Sequence, residues 1–186
     1  MIKFENVSFS YPNKKIFENL SLEINNNEHI WIYGESGCGK TTLARLILGL
    51  ETEQSGKIIK NGDLKPSVVF QENRLLPFKT VLQNITLMGA DISVARQNLK
   101  SLGIGDTENM YPSQLSGGMK RRVAIARALS VPFDYLILDE AFTGLDENNI
   151  VLCAKRILEV SKGKIIIVIT HSEYEAQLLN ATKKIL

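Results

Sequence analysis

The sequence predicts an α/β fold: a mainly parallel sheet covered by helices, with an N-terminal antiparallel β subdomain and a helical insertion. Three observations predict it. Continuously apolar strands, "YLIL" at 135–138 and "KIIIVIT" at 164–170, alternate with amphipathic helical stretches, as strands buried on both faces do. A glycine-rich loop, "GESGCGKT" at 34–41, lies between a strand and a helix. The 186 residues, 44% apolar and 23% charged, suffice for one globular domain, and 1–186 is read as a single unit.

In chain order, residues 2–33 read as strands Ile2–Phe9, Leu20–Ile24 and His29–Tyr33, broken by turn residues at "YPNKK" and "NNN". From Thr41 to Leu50, Leu43, Leu46, Ile47 and Leu50 recur at helical spacing. "GKIIKNGDLKPSVVF" reads as a hairpin around Asn61-Gly62, whose strand Val68–Phe70 delivers Gln71. Residues 72–114 read as a helical subdomain: "LLPFKT" bends the chain, Val81–Met88 and Val94–Leu102 are helical, and Gly103, Gly105 and Pro112 interrupt. Helices from about Gly118 to Leu129 and from about Asn148 to Val160 flank the strand at 135–138, and a second buried strand ends beside His171.

A net charge of +2 is too close to neutral to argue for nucleic acid or an anionic membrane face. The longest purely apolar run, Ile165–Ile169, is far below the roughly 20 residues that cross a bilayer. No basic segment followed by an apolar stretch opens the chain, so no export signal is read. The two cysteines, Cys38 and Cys153, have no Cys or His neighbour at metal spacing and suit a reducing cytoplasm.

"GESGCGKT" satisfies G-x-x-x-x-G-K-[ST], the P-loop of nucleotide-binding proteins. Gly34, Gly37 and Gly39 let backbone N–H groups turn inward around phosphate oxygens, and Glu35, Ser36, Cys38 and Thr42 complete the expected binding segment. Lys40 would reach the β- and γ-phosphates and the Thr41 hydroxyl would ligate Mg²⁺. The bland reading, a chance glycine-rich turn, loses to the strand and helix that flank the loop correctly. In "YLILDE", Asp139 and Glu140 emerge at the carboxyl end of a buried strand, where open α/β sheets bind ligands. Asp139 suits the Mg²⁺ shell and Glu140 suits polarising the water that attacks a γ-phosphate; capping the next helix is the competing role.

His171 follows the next strand and could bridge the γ-phosphate to Glu140, although a lone histidine is more often surface or core filler. Gln71, at another strand end, could place its oxygen on Mg²⁺ or on the attacking water. Tyr11, in a turn after the first strand, could stack on adenine or simply pack within a hairpin. Ser116, Gly117 and Gly118 open a helix in the way that binds phosphate through free N–H groups, a second cradle in one short chain. Lys120, Arg121, Arg122 and Arg127 read as a solvated helix face in preference to a nucleic-acid patch, since no aromatic residues are interleaved.

The ordered set Tyr11, GESGCGKT, Gln71, LSGGM, YLILDE, "TGLD" at 143–146 and His171 resembles the nucleotide-binding domain of ATP-binding cassette (ABC) proteins over nearly the whole chain. The resemblance implies head-to-tail pairing with a second ABC ATPase chain in a homodimer. Ser116, Gly117 and Gly118 would then meet the γ-phosphate held by the partner's P-loop, and Asp146 would link the two sites. "NRLLPFKTVLQNI" and "LSGGMKRRVAIARAL" look like the ATPase subunits of nitrate, sulfonate and taurine-type importers, which also carry Met where Met119 stands. Ala141 in place of Pro, the wording "FTGLD", a short Lys40-to-Gln71 span and the few residues after His171 depart from that subgroup and imply a trimmed sheet with no regulatory tail.

The resemblance implies hydrolysis of ATP with Mg²⁺, at the cytoplasmic, inner face of the cell membrane. It also implies import of a small solute through a separate integral membrane permease that docks on residues 72–114. A soluble ABC ATPase acting on nucleic acid or in macromolecular assembly is the alternative, and a nucleotide-gated interaction module with slow turnover is a third reading.

Overall fold

The computed structural model describes all residues, Met1–Leu186. Two sheets organise it. Strands β1 (Ile2–Tyr11), β2 (Lys14–Ile24) and β4 (Ser55–Lys60) form an antiparallel sheet in the order β2-β1-β4. Strands β3 (His29–Tyr33), β5 (Pro66–Val69), β6 (Tyr135–Asp139), β7 (Ile165–Ile169) and β8 (Thr182–Ile185) form a sheet in the order β5-β6-β7-β3-β8, in which every pairing is parallel.

β6 and β7 are buried at every position, which is why their sequences are continuous apolar runs. Their side chains still alternate. Leu136, Leu138, Ile166 and Val168 enter one core, while Tyr135, Ile137, Ile165, Ile167 and Ile169 enter the other. The first core packs under helices α2 (Val81–Thr86), α3 (Ile92–Ser101), α4 (Gly117–Leu129) and α5 (Glu147–Val160). The second lies between the parallel sheet, the antiparallel sheet and α1 (Lys40–Leu48).

The helix starts follow local chemistry. Thr80 caps α2 in a reciprocal capping box with Gln83, Asp91 caps α3, Ser116 accepts from the Met119 N–H at α4, and Asp146 accepts from the Asn149 N–H at α5.

Three readings of the sequence need correction, and two elements near the end of the chain go unread in it. The stretch at 56–70 is no hairpin: β4 pairs with β1 and β5 pairs with β6, so Asn61-Gly62 turns the chain from one sheet to the other. An Asn-Gly pair specifies a reversal and not the partner across it; burial of Ser67 and Val69 draws β5 against β6 instead. β2 begins at Lys14, before Leu20, because its first, largely exposed half is held by pairing with β1 and not by an apolar pattern. Tyr11 accordingly ends β1, paired with Lys14, and does not sit in a turn. A short helix, α6 (Glu173–Leu178), and β8, at the sheet edge next to β3, follow His171.

Candidate active site

The carboxyl ends of β3, β5, β6 and β7 converge on a cleft of about 360 Å³, lined by Ser36, Gly37, Gly39, Lys40, Thr41, Gln71, Asp139, Glu140, Thr143, Ile169 and His171. Ile169 is the one hydrophobic residue of that lining, which suits a charged ligand. The P-loop wraps one side. The Lys40 ammonium donates to the carbonyls of Gly34 (2.8 Å) and Glu35 (2.9 Å), which leaves its remaining N–H for an incoming oxygen. Gly39 adopts φ 109°, and a Cβ there would come within 2.6 Å of Ile16 Cγ2 and 2.8 Å of Phe17 Cζ. Only glycine combines that backbone with that closeness to β2.

Thr41 Oγ1 donates to Asp139 Oδ2 at 3.5 Å. Burial pushes the Asp139 carboxyl up from the usual carboxylate range, opposed by that hydrogen bond and by the Arg121 and Lys40 charges. Glu140 is raised by burial, helped by Glu175 and Asp139 and opposed by His171, whose Nε2 lies 3.8 Å from Glu140 Oε1. Glu140 also has a left-handed backbone, φ 49°, uncommon for a residue with a side chain. Such a conformation persists where surrounding contacts over-determine it, as at functional sites.

Because Asp139, Glu140 and Glu175 all have raised folded-state pKa values, the folded protein binds their protons more tightly than the unfolded chain. Their contribution therefore costs stability as pH rises through the carboxylate range. Asp139→Asn is expected to raise the melting temperature of the nucleotide-free protein at pH 8, with the gain vanishing toward pH 4; calorimetry across that range checks it.

The sequence-predicted residues divide into two groups. Ser36, Gly37, Gly39, Lys40, Thr41, Gln71, Asp139, Glu140 and His171 meet in the cleft. Gly34 and Glu35 reach it through carbonyls that hold Lys40, Cys38 packs back over Gly34, and Thr42 is buried in α1. Tyr11 packs edge-on against Phe9, with ring centroids 5.0 Å apart, and does not line the cleft. Ser116, Gly117, Gly118 and Asp146 lie outside it, with Ser116, Gly117 and Asp146 solvent-exposed.

Sequence reasoning missed Thr143 and Ile169 in the lining and Lys14, whose ammonium donates to the Gly37 carbonyl at 3.1 Å. It also misjudged the basic helix face. Arg121 is buried, and Arg122 and Arg127 donate to backbone carbonyls of Leu102, Gly103, Asn73 and Arg74. These guanidinium groups satisfy the protein's own loops, which removes the one hint of nucleic acid.

Comparison with known proteins agrees with this geometry. Residues 17–143 match the family model described as ABC transporter. The chain is 37% identical over 199 residues to an uncharacterized ABC transporter ATP-binding protein of Methanocaldococcus jannaschii, covering 96% of this chain and 74% of the relative. It is 34% identical over 200 residues to the bicarbonate transport ATP-binding protein CmpD of Synechocystis sp., covering 96% and 71%. It is 41% identical over 151 residues to the aliphatic sulfonates import ATP-binding protein SsuB of Burkholderia pseudomallei, covering 78% of this chain and 46% of that one. A P-loop cleft, the strand-end acids and these matches together show that the chain belongs to the ABC transporter family, as one of its ATP-binding proteins.

Proposed function

We propose that this chain hydrolyses ATP with Mg²⁺ and that hydrolysis drives uptake of a small solute through a separate integral membrane permease. The convergence of Lys40, Thr41, Gln71, Asp139, Glu140 and His171 on one polar cleft carries the reading. No group of three or more His, Cys, Asp or Glu side chains is placed to hold a metal ion alone. Thr41, Asp139 and Gln71 would therefore hold Mg²⁺ together with oxygens of the nucleotide, and the bound ion supplies charge neutralisation at the phosphates. Lys40 binds the β- and γ-phosphates, Glu140 takes the proton of the attacking water, and His171 orients Glu140 and the γ-phosphate.

The exposed cradle at Ser116–Gly118 suits a second chain. The Ser116 oxygen accepts from the Met119 N–H, so its own O–H remains free to donate, and a Cβ on Gly117 would meet nothing within 4 Å. Two chains pairing head to tail bury each nucleotide between the P-loop of one and the cradle of the other, with Asp146 at the junction. Ser116→Arg is expected to abolish hydrolysis while leaving nucleotide affinity of the single chain within about threefold, since its own cleft is untouched. Equilibrium binding and phosphate release check both halves.

Residues 1–186 act as one nucleotide-binding unit in which 72–114 and the start of α4 form the permease-docking subdomain. Leu76, Phe78, Leu87 and Met88 there are exposed, Phe78 by 88%, an apolar set suited to a partner. No helix is long and apolar enough to cross a membrane. The names of CmpD and SsuB, bicarbonate transport and sulfonate import, favour uptake of a small solute and placement on the cytoplasmic face of the membrane. Affinity purification of tagged Glu140→Gln from gently solubilised membranes tests this. Recovery of a multispanning permease supports it, and recovery of soluble proteins alone overturns the transport half. Loss of phosphate release on chelating Mg²⁺ tests the chemistry separately.

A further inference from the structure

β5 and β6 part company at the site. Their parallel pairing ends at Val69–Leu138, and beyond it the two chains run unpaired with each other to Gln71 and to Glu140. The carbonyls left behind by the ladder are met by one side chain, Arg121, 2% exposed and carried by α4. Its Nε donates to Ala141 O at 2.7 Å, and Nη2 to Asp139 O at 3.2 Å and to Glu140 O. Nη1 donates to Phe70 O, to Gln71 O at 3.1 Å and to Asn73 Oδ1 at 3.3 Å. All five guanidinium donors are engaged, and the planar fork spans both strand ends at once. Burial pushes the Arg121 guanidinium down from its ordinary value, opposed in part by the carboxylates of Asp139, Glu140 and Glu175.

We infer that Arg121 is a positioning residue for hydrolysis: it fixes the backbone of Gln71 and of the left-handed Glu140 relative to each other and ties both to α4. The inference rests on the hydrolytic reading of the cleft. Glu140 holds an uncommon backbone conformation, and its carbonyl is one of those that Arg121 clamps, which supplies part of the over-determination such a conformation needs. α4 starts at Gly117, next to the Ser116 cradle offered to the partner's nucleotide. The geometry of each chain's own acid and glutamine thus depends on the helix that its neighbour's nucleotide contacts.

Lysine keeps the charge but offers three donors from one point, which cannot span the carbonyls that Arg121 reaches at the ends of both β5 and β6. Arg121→Lys is therefore expected to lower kcat roughly 10- to 100-fold, as misplacement of reacting groups does, with KM and nucleotide affinity nearly unchanged. Amide hydrogen exchange, read without nucleotide, should accelerate in peptides covering 70–73 and 139–143 and not in the P-loop. Arg156→Met is the control: Arg156 donates to Asn98 and Glu159, away from the cleft, and its loss should lower the melting temperature without changing kcat.

Turnover and exchange equal to the unsubstituted chain would overturn the inference. So would an Arg121→Lys protein that loses nucleotide binding and cooperative unfolding together, since that assigns Arg121 to general stability. Absence of turnover in the unsubstituted chain would remove the hydrolytic reading and the inference with it, and would be seen before any variant is compared.

Discussion

Glu140→Gln is expected to lower the steady-state rate of ATP hydrolysis by roughly 10²- to 10⁴-fold while sparing ATP binding. Glutamine keeps the shape and accepts a hydrogen bond but takes no proton from water. Its backbone bonds, the N–H to Ile169 O and the carbonyl to Arg121, are independent of the side chain, so the left-handed turn survives. In the proposed pairing, removing a negative charge from beside the γ-phosphate would also favour the ATP-bound pair, so a 20.8 kDa chain is expected to double its mass by light scattering when ATP is added. Because burial raises the Glu140 carboxyl, the rate of the unsubstituted chain should fall on acidification at a pH above the ordinary glutamate range. That acid limb should be missing from the residual activity of the variant. Unchanged hydrolysis by Glu140→Gln would sink its assignment as the base.

Gly39→Ala is expected to abolish nucleotide binding, with affinity falling by at least about 100-fold, or about 3 kcal/mol. Two costs coincide there. The backbone at φ 109° is one that L side chains rarely adopt, and the added Cβ would press to 2.6 Å from Ile16 and under 3 Å from the Phe17 ring. Either the loop lifts away from β2, opening the cradle, or β2 shifts and the antiparallel sheet loosens. A fall in melting temperature accompanies the second outcome and separates it from the first. Gly117→Ala is the contrast: its Cβ would enter open space, so single-chain binding and stability should stay as they are. Titration calorimetry and thermal denaturation of the two variants decide whether the two cradles differ as described.

The parts of the site legible in the sequence are those whose chemistry is local. "GESGCGKT" requires its glycines and lysine within one strand–loop–helix unit, and "YLILDE" announces a buried strand by its apolar run and a strand-end site by the acids that follow. His171 and Gln71 were legible for the same reason, as polar residues closing apolar strands. The polar half of β2 carried no apolar period, and β4 and β5 looked like two arms of one hairpin because a turn signal does not name its partner.

Arg121 marks the boundary most sharply. In the sequence it stands among Lys120, Arg122 and Arg127, and a charged run on a helix suggests solvent. Its burial depends on carbonyls of residues 70, 71 and 139–141, brought beneath α4 only when β5 and β6 pair. By itself, then, the sequence determined the order of elements as far as His171, the phosphate loop and the strand-end acids, since each follows from residues close along the chain. Tertiary structure alone decided which sheet each strand joined, where the arginines went and how the acids' proton affinities shifted. Those outcomes depend on burial and on hydrogen-bond acceptors supplied by segments distant in the chain.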